Sequence, residues 1–272
     1  MRRREVMTFT AGALLGFLSG PGFLRAQPAD EVLEPDFSEA PPVTFAEGER
    51  VPTLEEYRAN LEALTGAQNP FEAEIRLGKK LLEDISSDQT PYQIAFRFHQ
   101  WRQGLVGATD KEKRQYSYYT REWPIRGNPI IMGYFDATGL RTPEGDTTYW
   151  CAAFVSWCIQ KSRENKRDNG RVWPYERGAG SAAYRTWGKD VIRELNSSPM
   201  TGDLAVFQHQ RTPWRGHVGF VHEVNGTAIR VLGGNQGAQN DFNGGEVNIS
   251  KFSTQPAGSL KFHSFRRHEA LG

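Results

Sequence analysis

The sequence contains few cysteines, no excess of charge of either sign and no long hydrophobic run. Its 272 residues include 2 cysteines, which excludes a disulfide-rich scaffold and a zinc site built from four cysteines. The 33 basic and 32 acidic side chains give a formal net charge of +1, which argues against a dedicated nucleic-acid binder, since such a protein needs a basic face. These absences leave a globular chain long enough for roughly two domains.

The first 26 residues have the pattern of a signal peptide. Arg2–Arg4 precede the short apolar stretch Phe9–Leu18, and Ala26 is a small residue that suits a cleavage site. The order Arg3–Met7 is similar to a twin-arginine export signal, which we favour over an ordinary secretory signal with one additional arginine. Both routes predict a periplasmic or extracellular protein. Because a membrane-spanning helix needs about 20 apolar residues, we expect no permanent transmembrane anchor.

The chain after the signal peptide divides into three predicted segments. Residues 27–50 are rich in Pro, Glu and Ala and read as a linker. Residues 51–119 form a helical region of unknown role, with predicted helices that start near Thr53, Pro70 and Pro91. Within this region we predict a polar surface loop over Gly107–Tyr119. Residues 120–272 form the last segment.

The last segment changes from helical to strand patterns along its length. Asn128–Phe135 predicts a short helix with Pro129 in its first turn, and Thr148–Gln160 predicts a buried helix. Five apolar runs then predict strands over Asp203–Phe207, His217–Val224, Thr227–Leu232, Glu246–Phe252 and Leu260–Phe265. A helix followed by a run of antiparallel strands is typical of the α+β class.

Cys151 lies near the predicted start of the buried helix. At a helix N-terminus, unpaired backbone N–H groups and the positive end of the helix dipole stabilise a thiolate, which is the nucleophilic form of cysteine. The same groups stabilise an oxyanion that forms beside the sulfur. Packing as a small hydrophobic residue is the alternative role of a buried cysteine, and we predict it for Cys158. The two cysteines lie too far apart along one helix to form a disulfide.

A nucleophilic cysteine needs a base, and His217 is the candidate. Gly216 and Gly219 flank it and permit close approach of another backbone or of a substrate. The alternative is a structural histidine in a strand. His209 lies in the preceding loop as a weaker candidate base, and His222 alternates to the other face of the strand, where we predict a structural role.

The hairpin after this histidine supplies a third polar group. Asn225-Gly226 predicts a two-residue turn that pairs Val224 with Thr227. In that register Asn235 falls one residue away from the position opposite the histidine. A bulge at Gly233-Gly234, or a three-residue turn, would bring Asn235 opposite and allow it to orient the imidazole. A polar turn without catalytic role is the alternative.

The sequence does not predict a metal or cofactor site. Cys151, Cys158 and His217 lack the close spacing of a common zinc site. The sequence also has no glycine-rich phosphate loop and no dinucleotide fingerprint.

Four segments in this order resemble a CHAP-type domain, which is the cysteine, histidine-dependent amidohydrolase/peptidase family related to NlpC-type hydrolases. They are Tyr149–Cys158, Gly202–Phe207, Gly216–Phe220 and Leu232–Gln236. The resemblance covers about Asn128–Phe252. It implies a papain-like α+β fold for residues 120–272, with a nucleophile-bearing helix packed on an antiparallel sheet and an N-terminal helical extension.

The resemblance also implies roles for three residues. Cys151 matches the nucleophile, His217 the general base and Asn235 the orienting polar residue. Many family members carry a Glu just before that Asn, whereas this chain has Gly233-Gly234 there.

The function implied by the resemblance is hydrolysis of an amide bond in peptidoglycan, either as an amidase or as an endopeptidase. The expected partner is peptidoglycan, with no nucleic acid, and a protein regulator stays unidentified. An acyl transferase or deamidase on the same scaffold, a non-catalytic cell-wall binding module and a secreted antibacterial toxin are the alternatives. Five aromatic residues in loops are candidates for lining a substrate groove: Trp173, Tyr175, Tyr184, Trp187 and Trp214.

Overall fold

The computed structural model describes residues 72–123, 127–140, 143, 145–146, 148–164, 171–174, 179–237 and 245–272. The predicted signal peptide, the linker 27–50 and the helix starts at Thr53 and Pro70 lie outside these ranges. In the part of the chain that is described, no helix is both long and apolar enough to span a bilayer.

The described residues form five α-helices and six β-strands. The helices are α1 (Glu72–Glu83), α2 (Pro91–Arg102), α3 (Asp110–Tyr118), α4 (Pro129–Tyr134) and α5 (Cys151–Lys161). The strands are β1 (Lys189–Asp190), β2 (Leu204–His209), β3 (Gly216–Asn225), β4 (Ala228–Gly237), β5 (Gly245–Ser253) and β6 (Leu260–Arg267). Short 3-10 helices cover Phe135–Ala137, Ser181–Arg185 and Glu269–Leu271.

The sheet is antiparallel throughout, and its strand order is β1-β6-β2-β3-β4-β5. Helix α5 packs against β3 and β4 in the middle of the sheet. Ten of its eleven residues are buried, so it lies between the sheet and the other helices rather than at the surface. The α+β prediction, with the cysteine-bearing helix on an antiparallel sheet, is confirmed.

The hydrophobic core occupies both faces of the sheet. Because side chains alternate along a strand, Phe220 and Leu232 pack on one face together with Phe154 of α5. Their neighbours Val221 and Val231 pack on the opposite face. Buried residues of α1 and α2 belong to the same cluster as α5, so these helices share a core with the sheet. Burying one such side chain contributes about 1.5–3 kcal/mol.

The predicted surface loop over Gly107–Tyr119 is wrong, because most of it forms α3. Thr109 and Glu112 make a reciprocal capping box: the Thr109 hydroxyl accepts the Glu112 N–H at 3.1 Å, and the Glu112 carboxylate accepts the Thr109 N–H at 3.2 Å. None of the nine residues of this described helix is fully buried. A helix without an apolar face gives no periodic signal, which explains the error.

The predicted hairpin register is also wrong by one step at the turn. Asn225 pairs with Ala228, so Gly226 and Thr227 form the two-residue turn instead of Asn225 and Gly226. A bulge at His222 then shifts the register between Val221 and Glu223. A second irregularity lies between Gly233 and Gln236 in the pairing of β4 with β5. This second position is the place where the glycine pair predicted a bulge.

Candidate active site

Cys151 is the first residue of α5, so it lies at the helix start although the sequence predicts the helix to begin at Thr148. The N–H groups of the first helical turn have no partner inside the helix, so they point toward the space around the sulfur. Only 5% of Cys151 is exposed. Cys158 lies further along the same helix, and both cysteines are free and buried.

Burial dominates the acid–base behaviour of Cys151. It raises the pKa of the thiol to about 11, because a thiolate loses its hydration in the interior. The backbone N–H groups of Val218, Ala152 and Cys151 itself act in the opposite direction and lower the pKa in part. The resting side chain is therefore a neutral thiol already surrounded by N–H donors.

His217 lies at the start of β3 and is 7% exposed. Its ring stacks on Phe252 with a centroid distance of 5.3 Å and an interplanar angle of 12°. Phe207 lies on the neighbouring strand with its ring centroid 6.4 Å away. Burial lowers the pKa of His217 to about 4, so the imidazole is neutral at pH 7 and can accept a proton.

The fold brings the start of α5 to the start of β3. The clearest sign is the N–H of Val218, the residue after His217, which interacts with the Cys151 sulfur. A neutral thiol and a neutral imidazole therefore lie at one buried junction. This arrangement suits general-base activation of the thiol at the moment of attack rather than a preformed ion pair.

Asn235 lies on β4, and among the described residues it makes no hydrogen bond to His217. Its backbone φ is +55°, in the left-handed region, and its side-chain carbonyl approaches Gly245. The carboxylate of Glu122 approaches the same glycine and accepts the indole N–H of Trp150 at 2.9 Å. Asn235 thus lies near Glu122, which bonds the residue before the nucleophile, and the orienting role of Asn235 stays a prediction.

Comparison with known proteins supplies one match at this site. The family model for the CHAP domain matches residues 143–235, which include the start of α5, the start of β3 and Asn235. This part of the chain therefore matches the CHAP domain, and it is called the CHAP domain below. Such domains are typically cysteine-dependent amidase or peptidase hydrolases, often with a peptidoglycan substrate. The comparisons with curated proteins and with solved structures found no match.

Two glycines of the CHAP domain make room for its site. A Cβ built on Gly234 would lie 2.6 Å from Cε3 of the Trp150 ring and 2.9 Å from the Phe154 Cβ. A Cβ on Gly233 would lie 3.4 Å from His217 Nε2 and would collide with the side-chain amide of Gln236. The absence of larger side chains therefore lets the β4 backbone approach both the nucleophile helix and the histidine.

Gln236 is the residue near the site that the sequence analysis missed. It is 5% exposed, and its side-chain amide and His217 Nε2 both lie near the Cβ position of Gly233. Simple alternation from the predicted register gives no reason to select it. The signal available in the sequence was the glycine pair, because a bulge there changes which side chains share a face with the histidine.

The other histidines near the CHAP domain have separate structural partners. His209 Nδ1 accepts the backbone N–H of Thr212 at 3.0 Å within a turn. His222 Nδ1 and the Tyr92 hydroxyl are hydrogen-bonded at 2.7 Å. These contacts agree with the structural role predicted for His222 and give His209, the last residue of β2, a local role in the turn that follows.

The predicted groove aromatics divide into buried and exposed residues. Tyr184 is buried and bonded to Ser156, while the Trp173 and Trp187 indoles donate to backbone carbonyls. Trp214 is 74% exposed, and Tyr175 lies outside the described residues.

Three residues close in sequence to Cys151 and His217 form what we call the exposed rim: Tyr149, Trp214 and Arg215. Tyr149 is 65% exposed and precedes Cys151 by two positions. Arg215 precedes His217 by two positions, and its guanidinium carbon lies 5.5 Å from the Tyr149 ring centroid. Trp214 lies next to Arg215. Two aromatic rings and a cation therefore lie at the surface close in sequence to the thiol and the imidazole, which are buried.

No metal cluster was found within the described ranges: no group of three His, Cys, Asp or Glu side chains there is placed to hold an ion.

Proposed function

We propose that this protein hydrolyses an amide bond in peptidoglycan through a Cys151 nucleophile and a His217 base. The observation that carries the proposal is the junction of α5 and β3. It places a cysteine at a helix N-terminus, beside the backbone N–H that follows a neutral, buried histidine. The CHAP match over the same residues supports this class of chemistry.

The proposed reaction begins with a proton transfer. His217 accepts the Cys151 proton, and the sulfur attacks the carbonyl carbon of the substrate amide. The negative charge moves to the carbonyl oxygen, where the N–H groups of Cys151, Ala152 and Val218 stabilise it. His217 then protonates the leaving nitrogen as the C–N bond breaks, which leaves a thioester on Cys151.

Water completes the proposed reaction. His217 removes a proton from the water molecule as its oxygen attacks the thioester carbon. Collapse of this second intermediate releases the carboxylic acid and returns the proton to the sulfur. An acyl transferase would differ only in this step, because an amine or hydroxyl would replace water as the acceptor.

The exposed rim supports a substrate that carries both apolar and anionic groups. Tyr149 and Trp214 offer ring faces for a sugar or an alkyl side chain. Arg215 offers a planar cation suited to a carboxylate of a stem peptide. These groups lie on the segments that lead to Cys151 and His217, so a substrate bound there would reach the buried thiol.

The test is digestion of purified peptidoglycan by the wild-type chain and by Cys151→Ala, with the released fragments identified by mass spectrometry. Cys158→Ala is the matched control, because it removes the second buried thiol of the same helix. We expect fragments from the wild type and from Cys158→Ala, and none from Cys151→Ala. The fragment masses would identify the bond that is cut.

Three outcomes would contradict the proposal. Fragments from Cys151→Ala at the wild-type rate would remove the cysteine from the mechanism. A folded wild-type chain that binds peptidoglycan without releasing fragments would favour the cell-wall binding module. Transfer of an acyl group to an added amine, with little hydrolysis, would favour the acyl transferase.

We also propose that the mature chain acts outside the cytoplasm. The support is the predicted twin-arginine signal in residues 1–26 together with the location of peptidoglycan. Replacing Arg3 and Arg4 by lysine should keep the protein in the cytoplasmic fraction, whereas unchanged export would favour an ordinary secretory signal.

A further inference from the structure

The indole of Trp150 is bonded to a carboxylate from a distant part of the chain. Its Nε1–H donates to Glu122 Oε1 at 2.9 Å, and both side chains are buried. Glu122 lies 28 positions before Trp150, on the connection between α3 and α4, and outside the residues 143–235 that match the CHAP model. A segment that precedes the matched residues therefore reaches the residue before the nucleophile.

The main chain holds Glu122 in this place. Its backbone N–H donates to the Gly245 carbonyl at 2.8 Å, and the neighbouring Arg121 forms an isolated β-bridge with Glu246. The start of β5 thus fixes the segment from which the carboxylate extends. Gly245 also leaves room for the carboxylate, because a Cβ built there would lie 2.8 Å from Glu122 Cδ and closer still to Oε1.

Packing restricts the Trp150 ring on its other sides. The Tyr134 and Phe154 rings lie 5.9 Å and 6.3 Å from it between centroids, and a Cβ on Gly234 would lie 2.6 Å from its Cε3. Apolar contacts have no preferred direction, whereas the hydrogen bond of the indole N–H has one. The bond to Glu122 therefore determines which edge of the ring faces this carboxylate.

The position of Trp150 determines where α5 begins. Trp150 is the N-cap residue of this helix, and its side chain makes no capping hydrogen bond. Its carbonyl accepts the first helical bond, from the Phe154 N–H at 2.9 Å. The next two residues, Cys151 and Ala152, supply backbone N–H groups to the sulfur. Because the N-cap side chain does not hold this turn, the anchored indole has that role.

We propose that Glu122 is a positioning residue of the site: its carboxylate holds the Trp150 indole and thereby keeps the Cys151 and Ala152 N–H groups where the oxyanion forms. This inference rests on the proposed function in that it names a group that positions the proposed nucleophile. Glu122 acts through Trp150, so it is not a catalytic residue.

The first experiment measures hydrogen exchange of the Phe154 N–H in the substrate-free chain by ¹H–¹⁵N NMR. Glu122→Met keeps a similar volume but leaves the indole N–H without its acceptor in the core. We expect the Phe154 N–H to exchange at least about tenfold faster in this variant, because an unpaired buried donor destabilises the first turn. The Ser162 N–H, which bonds at the other end of α5, should keep its rate. Unchanged exchange at Phe154 would overturn the proposal.

Ser156→Ala is the matched control for lost stability. It removes another buried hydrogen bond between a polar side chain and an aromatic residue, since Ser156 Oγ and the Tyr184 hydroxyl lie 2.7 Å apart. Ser156 belongs to α5 but does not bond to its N-cap residue. We expect the Phe154 N–H to keep nearly the wild-type rate. Equal acceleration in Ser156→Ala and Glu122→Met would reflect a general loss of stability and would overturn the proposal.

Glu122→Gln tests whether the acceptor oxygen is what matters. Glutamine has the same shape and keeps a carbonyl oxygen that can accept the indole N–H, but it has no negative charge. We expect the slow exchange of the Phe154 N–H to be retained. If Glu122→Gln exchanged as fast as Glu122→Met, the loss would not come from the missing acceptor, and the positioning role would be wrong.

Activity provides a second readout that separates the two proposals. If the chain cleaves peptidoglycan, Glu122→Met should lower kcat by about 10- to 10²-fold with little change in KM, because displaced N–H groups stabilise the oxyanion less. Glu122→Gln should recover most of the loss, and Ser156→Ala should keep its kcat. Equal kcat in the wild type and Glu122→Met would overturn the positioning role. Because exchange is measured without substrate, it decides whether Glu122 holds the helix start even if the wild-type chain releases no fragments.

Discussion

At the scale of single residues, the site depends on two glycines, Gly233 and Gly234, which have no side chain to fill the space beside it. Gly233 and Gly234 let β4 lie against His217 on one side and Trp150 on the other. A larger residue at Gly234 would displace the Trp150 ring, and one at Gly233 would displace the Gln236 amide. The buried environment that results also keeps Cys151 and His217 uncharged at rest.

Gly234→Ala should destabilise the protein by about 1–3 kcal/mol, because the new methyl group overlaps the Trp150 ring in a packed core. Urea denaturation followed by tryptophan fluorescence would measure the change. Gly180→Ala is the matched control, since a Cβ there meets no atom of the described chain within 4 Å. Equal losses in both variants would mean that Trp150 does not restrict position 234.

The buried His217 should make stability depend on pH. Its pKa is about 4 in the folded chain and 6.5 in the unfolded chain, so the unfolded state binds more protons between these values. Stability from this group is therefore complete above pH 6.5 and falls as the pH decreases toward 4, by about 3 kcal/mol at most.

The measurement for this prediction is the free energy of unfolding at several pH values for the wild type and for His217→Gln. Burial also lowers the pKa of other histidines, so the difference between the two curves isolates His217. A difference that does not change between pH 7 and pH 4 would contradict the prediction.

At the scale of secondary-structure elements, two helices near the site begin with caps of different burial. The Asn128 side-chain oxygen accepts the N–H of Ile130 at 2.9 Å, and its NH₂ donates to the carbonyls of Tyr119 and Arg121. Asn128 is fully buried, whereas Thr109 caps α3 at the surface. The first cap joins α4 to the segment that contains Tyr119 and Arg121, and the second is local.

Thr109→Ala should therefore cost about 1 kcal/mol, the usual value of an exposed cap. Asn128→Ala should cost about 2–4 kcal/mol, because the buried carbonyl of Tyr119 and the partly buried carbonyl of Arg121 also lose their donor. Thermal or urea unfolding of both variants gives the comparison. If the two losses were equal, the carbonyls of Tyr119 and Arg121 would have found other partners.

At the scale of the whole molecule, the predicted helical region and the CHAP domain share one core. The Phe98 ring of α2 lies 5.6 Å from Tyr134, 5.8 Å from Phe154 and 5.7 Å from Trp157, measured between ring centroids. Two of these partners belong to the nucleophile helix. The helices before residue 120 therefore cover the face of α5 that the sheet leaves open.

A chain truncated to residues 120–272 should lose cooperative unfolding or melt at a markedly lower Tm than a chain of residues 51–272. The reason is exposure of Phe154 and Trp157, each worth about 1.5–3 kcal/mol of burial. Differential scanning calorimetry and binding of a hydrophobic dye would report the change. An equal Tm for both chains would show that the segment after residue 119 folds independently.

Much of the fold could be predicted from local patterns. The five predicted strands, the short helix at Pro129 and the helix that begins at Cys151 all depend on neighbours in sequence, through alternation, capping and turn residues. The loop predicted over residues 107–119 was wrong because α3 has a capping box but no apolar face. The capping box of Thr109 and Glu112 was a local sign of a helix, but the segment has no apolar periodicity, so it was predicted as a loop.

The sequence by itself determined the residue types of the site: a cysteine at a helix start, a histidine at a strand start and a polar segment after two glycines. Tertiary structure decided their environment. The bulge at His222, the irregularity before Gln236 and the stacking of Phe252 on His217 all depend on contacts between distant segments. A one-residue change of register alters which side chains share a face, so the partner of the imidazole is a property of the folded sheet.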